Sequence, residues 1–325
     1  MRLEKKKMNY FDINDINNLS EWIDEAITLK KAPLSQKSLG KDKTICLLFF
    51  NNSLRTRLST QKAAMNLGMN VMVMNFGAEG WQLEYGDGEI MDQGKSEHVI
   101  EAAQVVSQYC DIIAIRAFAK FENKKDDYQE QVLSAFIKYA SVPILNMESA
   151  IGHPLQALTD MITIAEHHKK SKPKVVLSWA PHPKSLPQAV ANSFAQYANA
   201  SDFDFVITHP EGYELDPQFV GKATVTNNQE EAFKDADFIY VKNWSPFADA
   251  NYGKVINTDS SWKITAKKMA LTNNGKFMHC LPVRRNVIVD DAVIDSENSL
   301  VIQQANNRTY AAQVAIKKIL ESINN

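Results

Sequence analysis

The residues able to do chemistry fall into short polar strings. Ser53-Leu54-Arg55-Thr56-Arg57 sets two hydroxyls and two guanidiniums within five positions. At the start of a helix, where free amide N–H groups join them, such a string makes an anion cradle best suited to phosphate. Read alone, the string also fits a serine helix cap followed by solvated arginines. Arg116 closes an apolar run, and Met147-Glu148 and His153-Pro154-Leu155-Gln156 follow later. Then come Trp179-Ala180-Pro181-His182-Pro183, Lys242-Asn243-Trp244 and His279-Cys280-Leu281-Pro282-Val283-Arg284-Arg285-Asn286. Each has an ordinary reading too: a surface arginine, a structural histidine, a helix cap at Glu148, proline-rich turns. Position unites them, because each stands directly after a run that reads as a strand.

Absent motifs narrow the chemistry. No Gly-x-Gly-x-x-Gly follows a strand, and there is no Gly-x-x-x-x-Gly-Lys-Ser/Thr, so neither dinucleotide nor P-loop signatures are present. His-Glu-x-x-His, Cys-x-x-Cys and Gly-x-Ser-x-Gly are missing, and His167-His168 has no ligand partner at useful spacing. The cysteines Cys46, Cys110 and Cys280 are too few and scattered for a disulfide framework or a zinc cluster. The expectation is an anion-binding site with no metal, no cofactor and no evident covalent nucleophile. That profile suits group transfer by positioning and electrostatics.

The elements that must position these residues alternate. Spaced apolar residues predict a helix over 13–29, with Asp15 or Asn17 as cap, then a strand over 44–50 and a helix over 53–68. A strand over 70–76 precedes a Gly- and acid-rich loop over 77–94, a helix over 96–109 and a strand over 111–117. A helix over 131–139 and a strand over 142–146 close the first half. In the second half, strands are predicted over 174–179, 205–208, 238–241 and 277–280, and a last helix over 310–325. This rhythm predicts an α/β chain of two doubly wound domains with parallel central sheets, which gather ligands at the carboxyl ends of their strands. The break near 147–160 divides the chain into domains 1–150 and 151–304, with 305–325 expected to pack back on the first.

Charge agrees with a local rather than a global anion site. The 325 residues carry 36 Lys and Arg against 38 Asp and Glu, a formal net charge of -2, which excludes a broad basic surface for nucleic acid. With 45% hydrophobic and 23% charged residues there is enough apolar side chain for a sizeable core. No apolar run reaches the roughly 18 residues a membrane helix needs. The polar start, Met1-Arg2-Leu3-Glu4-Lys5-Lys6-Lys7, does not read as a secretory signal. A soluble, cytoplasmic protein with small-molecule partners, and with neither nucleic acid nor membrane, is expected.

Three of the strings, in this order, resemble signatures of the aspartate and ornithine carbamoyltransferase family: Ser53-Leu54-Arg55-Thr56-Arg57, His153-Pro154-Leu155-Gln156 and His279-Cys280-Leu281-Pro282. The resemblance runs over nearly the whole chain. It implies one domain for carbamoyl phosphate, one for the amino acceptor, and a homotrimer with active sites at subunit interfaces. The implied reaction is attack of an amine on the carbamoyl carbon, a tetrahedral intermediate, and loss of phosphate. Ser53, Leu54 through its backbone, Arg55, Thr56 and Arg308 would hold the phosphate, and Arg116, His153 and Gln156 the carbamoyl group. Backbone carbonyls of Cys280 and Leu281 would face its amide. Arg116, His153 and Arg55 would carry the catalytic charge stabilisation, and Trp81 would join the site from a neighbouring subunit.

Cys280, where aspartate-type enzymes have proline, resembles the ornithine type. Yet Tyr240-Val241-Lys242-Asn243-Trp244-Ser245 lacks the Ser-Met-Gly loop that grips a free α-amino group. Together with Gly80-Trp81 and the 179–183 string, it is similar to the branch acting on N-acylated ornithines. That likeness implies Glu148, His182, Lys242 and Arg284 as acceptor contacts. At the loop position near the acyl tail, usually Glu in acetyl-using and Pro in succinyl-using members, Ser96 stands here. Serine lacks the charge that would repel a succinyl carboxylate, and Lys95 is next to it. Gln313, in place of a lysine of the acetyl type, points the same way. The expected reaction is carbamoylation of N-succinyl-L-ornithine to N-succinyl-L-citrulline in arginine biosynthesis. N-acetyl-L-ornithine is the alternative; free ornithine or another amine, or a non-catalytic anion-binding protein, are further readings.

Overall fold

A continuous apolar run can be buried on both faces only if helices cover both sides of its sheet. β1 (Thr44–Phe49) does this: Ile45, Leu47 and Leu48 are fully buried. In the computed structural model, which describes residues 8–76, 79–92 and 94–324, it lies inside a four-stranded parallel sheet. Gly77, Ala78 and Gln93 of the expected 77–94 loop lie outside the described residues.

Before β1, the expected single helix over 13–29 is two pieces. A short 3-10 turn, Ile13–Asp15, is closed by a capping box: Asn14 N–H donates to Asp12, and the Asp15 carboxylate accepts from the amides of Phe11 and Asp12 at 2.6 and 3.3 Å. Ile16 is then extended, and α1 (Leu19–Lys31) starts afresh with Asn18 as its cap, neither Asp15 nor Asn17. After β1 come α2 (Arg55–Asn66), β2 (Asn70–Asn75), the two-residue strands β3 (Leu83–Glu84) and β4 (Glu97–His98), and α3 (Val99–Tyr109). β5 (Ile112–Arg116), α4 (Lys124–Tyr128), α5 (Gln131–Tyr139) and β6 (Ile144–Glu148) follow. The sheet order is β2-β1-β5-β6, and every neighbour is parallel. Between β5 and β6 the register shifts after Ile115, so Arg116 stands opposite Glu148. A bulge at a strand end re-aims side chains, and here it brings two charged residues together.

The second sheet is built from β7 (Lys174–Trp179), β8 (Asp204–Thr208), β9 (Thr224–Thr226), β10 (Phe238–Lys242) and β11 (Lys276–Met278), in the order β11-β10-β7-β8-β9 and all parallel. α6 (Pro154–His167) leads into it; α7 (Ala189–Ala200) lies between β7 and β8, α8 (Pro217–Val220) between β8 and β9, and α9 (Gln229–Phe233) between β9 and β10. α10 (Ala266–Met269) precedes β11 and α11 (Asp291–Ile294) follows it. Val176, Ile239, Val241 and Phe277 sit in its core. β9 is an exposed edge strand that the apolar pattern does not announce. The last helix, α12 (Val301–Asn324), starts well before the expected position 310, because its first turns are polar yet buried at Gln304, Asn307 and Arg308. The described residues up to Leu155 and from Arg308 onward form one compact unit, and Gln156–Asn307 form the other, so both boundaries fall inside helices, α6 and α12.

Candidate active site

In the first unit, the ends of β1, β5 and β6 converge. Phe50 N–H donates to the Arg116 carbonyl at 2.9 Å, and Asn51 Oδ1 accepts from Phe118 N–H at 2.6 Å, which ties the segment after β1 to the segment after β5. Ser53 Oγ accepts from Thr56 N–H at 3.1 Å in the first turn of α2, while Leu54 stands at the cap position itself. The arginines of the string itself, Arg55 and Arg57, are half-buried rather than fully solvated. Arg116 Nη1 and Arg308 Nη2 both donate to Thr56 Oγ1, at 3.1 and 2.6 Å, and all three residues are buried. The Arg116 guanidinium also lies over the Phe118 ring, 4.3 Å from its centroid.

Glu148 provides the counter-charge. Its Oε2 accepts from Arg116 Nη1 and lies 3.1 Å from His153 Nε2, with all three side chains buried. Burying charges is costly unless they are paired and hydrogen-bonded. The buried guanidiniums of Arg116 and Arg308 gather here with that carboxylate, and half-buried Arg55 stands at the first turn of α2. This cluster of guanidinium groups, placed at a helix N-terminus, suits a multivalent anion. Arg57 is turned elsewhere: it donates to Asn75 Oδ1 and lies 4.5 Å from the centre of the Phe49 ring. Leu54 exposes its side chain.

Trp81 and Ser96 are exposed on the segment around β3 and β4. Trp81 Nε1 donates to Glu97 Oε2 at 2.8 Å. Lys95 is not available to a distant carboxylate, since it pairs with Glu84 at 2.8 Å. That ion pair, with the amides of Gly86 and Tyr85, holds the Glu84 carboxyl down to about 2. Gln313 is a buried strut of the first unit. It accepts from Asn66 Nδ2 at 2.9 Å and donates to the Pro33 carbonyl at 2.7 Å, so its identity bears on packing between α2 and α12.

In the second unit, Gln156 and the segment Met278–Leu281 are joined through buried groups. Gln156 Nε2 and Gln304 Nε2 both donate to Asp160 Oδ1 at 2.7 Å, while Gln304 Oε1 accepts from His279 N–H at 3.0 Å. Tyr240 ends up against Asp160 and Cys280, and burial together with these neighbours pushes its phenol well above the usual range. His279 Nδ1 accepts from Leu281 N–H at 2.9 Å, and Leu281 holds a positive φ of 54° that side chains other than glycine rarely adopt. Asp160, Tyr240 and Gln304 escape the motif reading, although Asp160 sits one helical turn after Gln156, the spacing at which side chains meet.

His182 and Arg284 also meet, with Arg284 Nε donating to His182 Nε2 at 3.1 Å and His182 Nδ1 lying 2.8 Å from the Lys184 carbonyl, two residues on. Burial lowers the His182 pKa; the Arg284, Lys242 and Lys184 charges act in the same direction. The imidazole is therefore neutral near pH 7, as its acceptor role toward Arg284 requires. Lys242 ends β10 opposite Trp179, whose Nε1 donates to the Trp244 carbonyl at 3.1 Å. Trp244 Nε1 in turn donates to the Tyr213 carbonyl at 2.7 Å, and the Tyr213 hydroxyl accepts from Ile256 and Asn257 N–H at 3.0 Å. Buried aromatic residues thus fix the stretch where a Ser-Met-Gly loop is missing.

Residues 8–166 match the family described as aspartate/ornithine carbamoyltransferase, carbamoyl-P binding domain, and residues 187–319 match aspartate/ornithine carbamoyltransferase, Asp/Orn binding domain. The chain is 53% identical over 311 residues to an N-succinylornithine carbamoyltransferase of Bacteroides thetaiotaomicron, covering 96% of this chain and 98% of that protein. It is 38% identical to an N-acetylornithine carbamoyltransferase of Xanthomonas axonopodis pv. citri, covering 92% and 93% of the two chains. Among solved structures, a glutamate-to-serine mutant of N-acetyl-L-ornithine transcarbamylase complexed with carbamyl phosphate and N-succinyl-L-norvaline is similar, with a TM-score of 0.89 and 35% identity, covering 96% of this chain and 99% of that one.

Proposed function

Since the chain belongs to the aspartate/ornithine carbamoyltransferase family, and is a carbamoyltransferase, we propose that it carbamoylates the δ-amine of N-succinyl-L-ornithine, releasing N-succinyl-L-citrulline and phosphate, as a step of arginine biosynthesis. The observation that carries the reading is the Thr56 hydroxyl, which receives Arg116 and Arg308 at the N-terminus of α2. Ser53, the backbone of Leu54, Arg55, Thr56 and Arg308 bind the phosphate group. Arg116 and His153 face the carbamoyl oxygen, where negative charge develops in the tetrahedral intermediate. The first unit is thus the carbamoyl-phosphate domain and the second the acceptor domain. Gln156 and the carbonyls of Cys280 and Leu281 accept from the carbamoyl NH2. Arg55 stabilises the departing phosphate, whose oxygens can take the amine's proton.

Glu148, His182, Lys242 and Arg284 bind the acceptor, with cations suited to its carboxylates. For the acyl group, two observations favour succinyl over acetyl: the names of relatives at 53% and 52% identity, and an exposed, uncharged Ser96 that offers no repulsion to a second carboxylate. A cytoplasmic homotrimer, with Trp81 reaching a neighbouring site, completes the reading, and sedimentation of the purified protein tests the assembly. The decisive experiment is an acceptor panel with carbamoyl phosphate fixed. N-succinyl-ornithine is expected to be the best substrate by kcat/KM; faster turnover of N-acetyl-ornithine or free ornithine overturns the assignment.

A further inference from the structure

Asp160, fully buried in α6, has no part in the roles assigned so far. Its hydrogen-bond pattern can be worked out without ambiguity from one end. A backbone N–H can only donate, so His279 N–H fixes Gln304 Oε1 as the acceptor at 3.0 Å. The other end of that side chain, Nε2, is then a donor, and Asp160 Oδ1 at 2.7 Å accepts from it. The same oxygen lies 2.7 Å from the Gln156 side chain, so Gln156 also turns its NH2 toward Asp160. The amide oxygen of Gln156 is thereby oriented away from Asp160. Tyr240 lies beside both Asp160 and Cys280, with a buried hydroxyl that makes no hydrogen bond of its own among the described residues.

We infer that Asp160 is a positioning residue that sets the polarity of the carbamoyl-amide site: it holds Gln156 with its carbonyl oxygen toward the ligand and, through Gln304, steadies the 279–281 segment whose carbonyls complete a set of acceptors. The inference rests on the proposed carbamoyl transfer. A set made only of acceptors selects a phosphate ester bearing NH2, a donor, and disfavours one bearing CH3, which leaves buried carbonyls unmatched. Loss of Asp160 removes the acceptor that draws the Gln156 NH2 to its side of the amide. Discrimination between carbamoyl phosphate and acetyl phosphate is therefore the property Asp160 controls.

The test compares wild type, Asp160→Leu and Asp160→Asn as full-length enzymes, measuring Kd for carbamoyl phosphate and for acetyl phosphate by calorimetry, and KM for both substrates. Leucine removes the shared acceptor at similar volume. Asparagine keeps one oxygen for both glutamines. In Asp160→Leu the preference for carbamoyl over acetyl phosphate should fall about tenfold, the worth of one to two neutral hydrogen bonds. Its KM for the ornithine acceptor should stay within about twofold, and Asp160→Asn should restore most of the preference. A general structural lesion would lower the active fraction and melting temperature but leave the ratio of the two Kd values intact, and an intact ratio overturns the inference. If Asp160→Leu does not fold, Gln304→Met cuts the arm to His279 and should reduce the ratio several-fold; an unchanged ratio there overturns it equally. Wild-type enzyme that fails to bind carbamoyl phosphate would instead count against the proposed function itself.

Discussion

Thr56 concentrates the electrostatics of the first unit in one hydroxyl. Its Oγ1 accepts from two buried guanidiniums, so it fixes the directions of Arg116 and Arg308 as well as any bond of its own to a ligand. Hydrogen bonds from charged donors contribute roughly 1.5–3 kcal/mol each, and a valine of the same shape removes both acceptor lone pairs. Thr56→Val is expected to raise KM for carbamoyl phosphate by at least about tenfold while changing acceptor KM little; steady-state kinetics with each substrate varied in turn checks this. At the other cluster the prediction concerns pH. The His182 pKa lies below the ordinary 6.5, first because of burial and then because of the neighbouring cations. The neutral ring accepts from Arg284 Nε; as pH falls through the lowered pKa, the ring gains a second N–H and that bond turns into repulsion. Acceptor KM should be flat from pH 7 to 8 and climb below the ordinary value of 6.5, while carbamoyl phosphate binding stays level over the same interval. A flat acceptor profile down to pH 5 would remove His182 from the role.

Among the elements, glycine at the end of α2 has a demanding position. Gly68 has φ +85°, its N–H donates to the Met65 carbonyl at 3.0 Å, and a Cβ there would run into the Lys37 backbone carbonyl. Such a left-handed residue just past a helix closes the last turn and releases the chain toward β2. Gly68→Ala should lower stability by about 1–3 kcal/mol, read as a drop in melting temperature, with turnover per folded molecule unchanged at low temperature. The elements easiest to read from sequence are those with this kind of unmistakable punctuation or with a continuous apolar run. β7 lies where its Val-Val-Leu core predicts, and α5 matches its 131–139 pattern from end to end. β9 escapes notice because Thr224, Val225 and Thr226 form a short edge strand with no buried face to impose a pattern. The first turns of α12 escape for the opposite reason. Val-Ile-Gln-Gln-Ala-Asn-Asn-Arg looks like a loop, yet Gln304, Asn307 and Arg308 are buried polar residues, each hydrogen-bonded to a partner far away in sequence. The strand-end chemistry was legible because parallel sheets expose those positions. What joins it, Arg308 to Thr56 across 252 residues and Asp160 to two glutamines, depends on tertiary folding that no local pattern encodes.

At the scale of the whole molecule, a net charge of -2 coexists with a buried cluster of guanidinium groups, so bulk charge describes the surface and not the site. The chain's two ends meet in a second charge network, this one structural. Lys318 Nζ lies 2.7 Å from Glu25 and 3.2 Å from Glu21, and Lys317 pairs with Glu25 and Glu321, which ties the last helix to α1 within the first unit. Ile316, Ile319 and Leu320 are fully buried beside these ion pairs, so the clasp lies on the rim of the core. Burial works against ionisation of Glu25, but the Lys317 and Lys318 ammonium groups outweigh it and hold its carboxyl below the ordinary 4.5. The two lysines are correspondingly raised above 10.5. A depressed carboxylate contributes stability that is present above the unfolded value and disappears as pH falls through the folded one; a raised lysine contributes below its unfolded value and loses its effect as pH rises through the folded one. The clasp therefore acts fully between about pH 4.5 and 10.5. Networks of partly exposed ion pairs are worth on the order of 1 kcal/mol. Glu25→Gln should lower the melting temperature at pH 7 by a few degrees, about 2–4 °C for a unit of this size, and narrow its gap from wild type as the pH is taken below 4.5. A difference between the two proteins that persists undiminished to pH 3 would show that Glu25 acts by packing and not by charge.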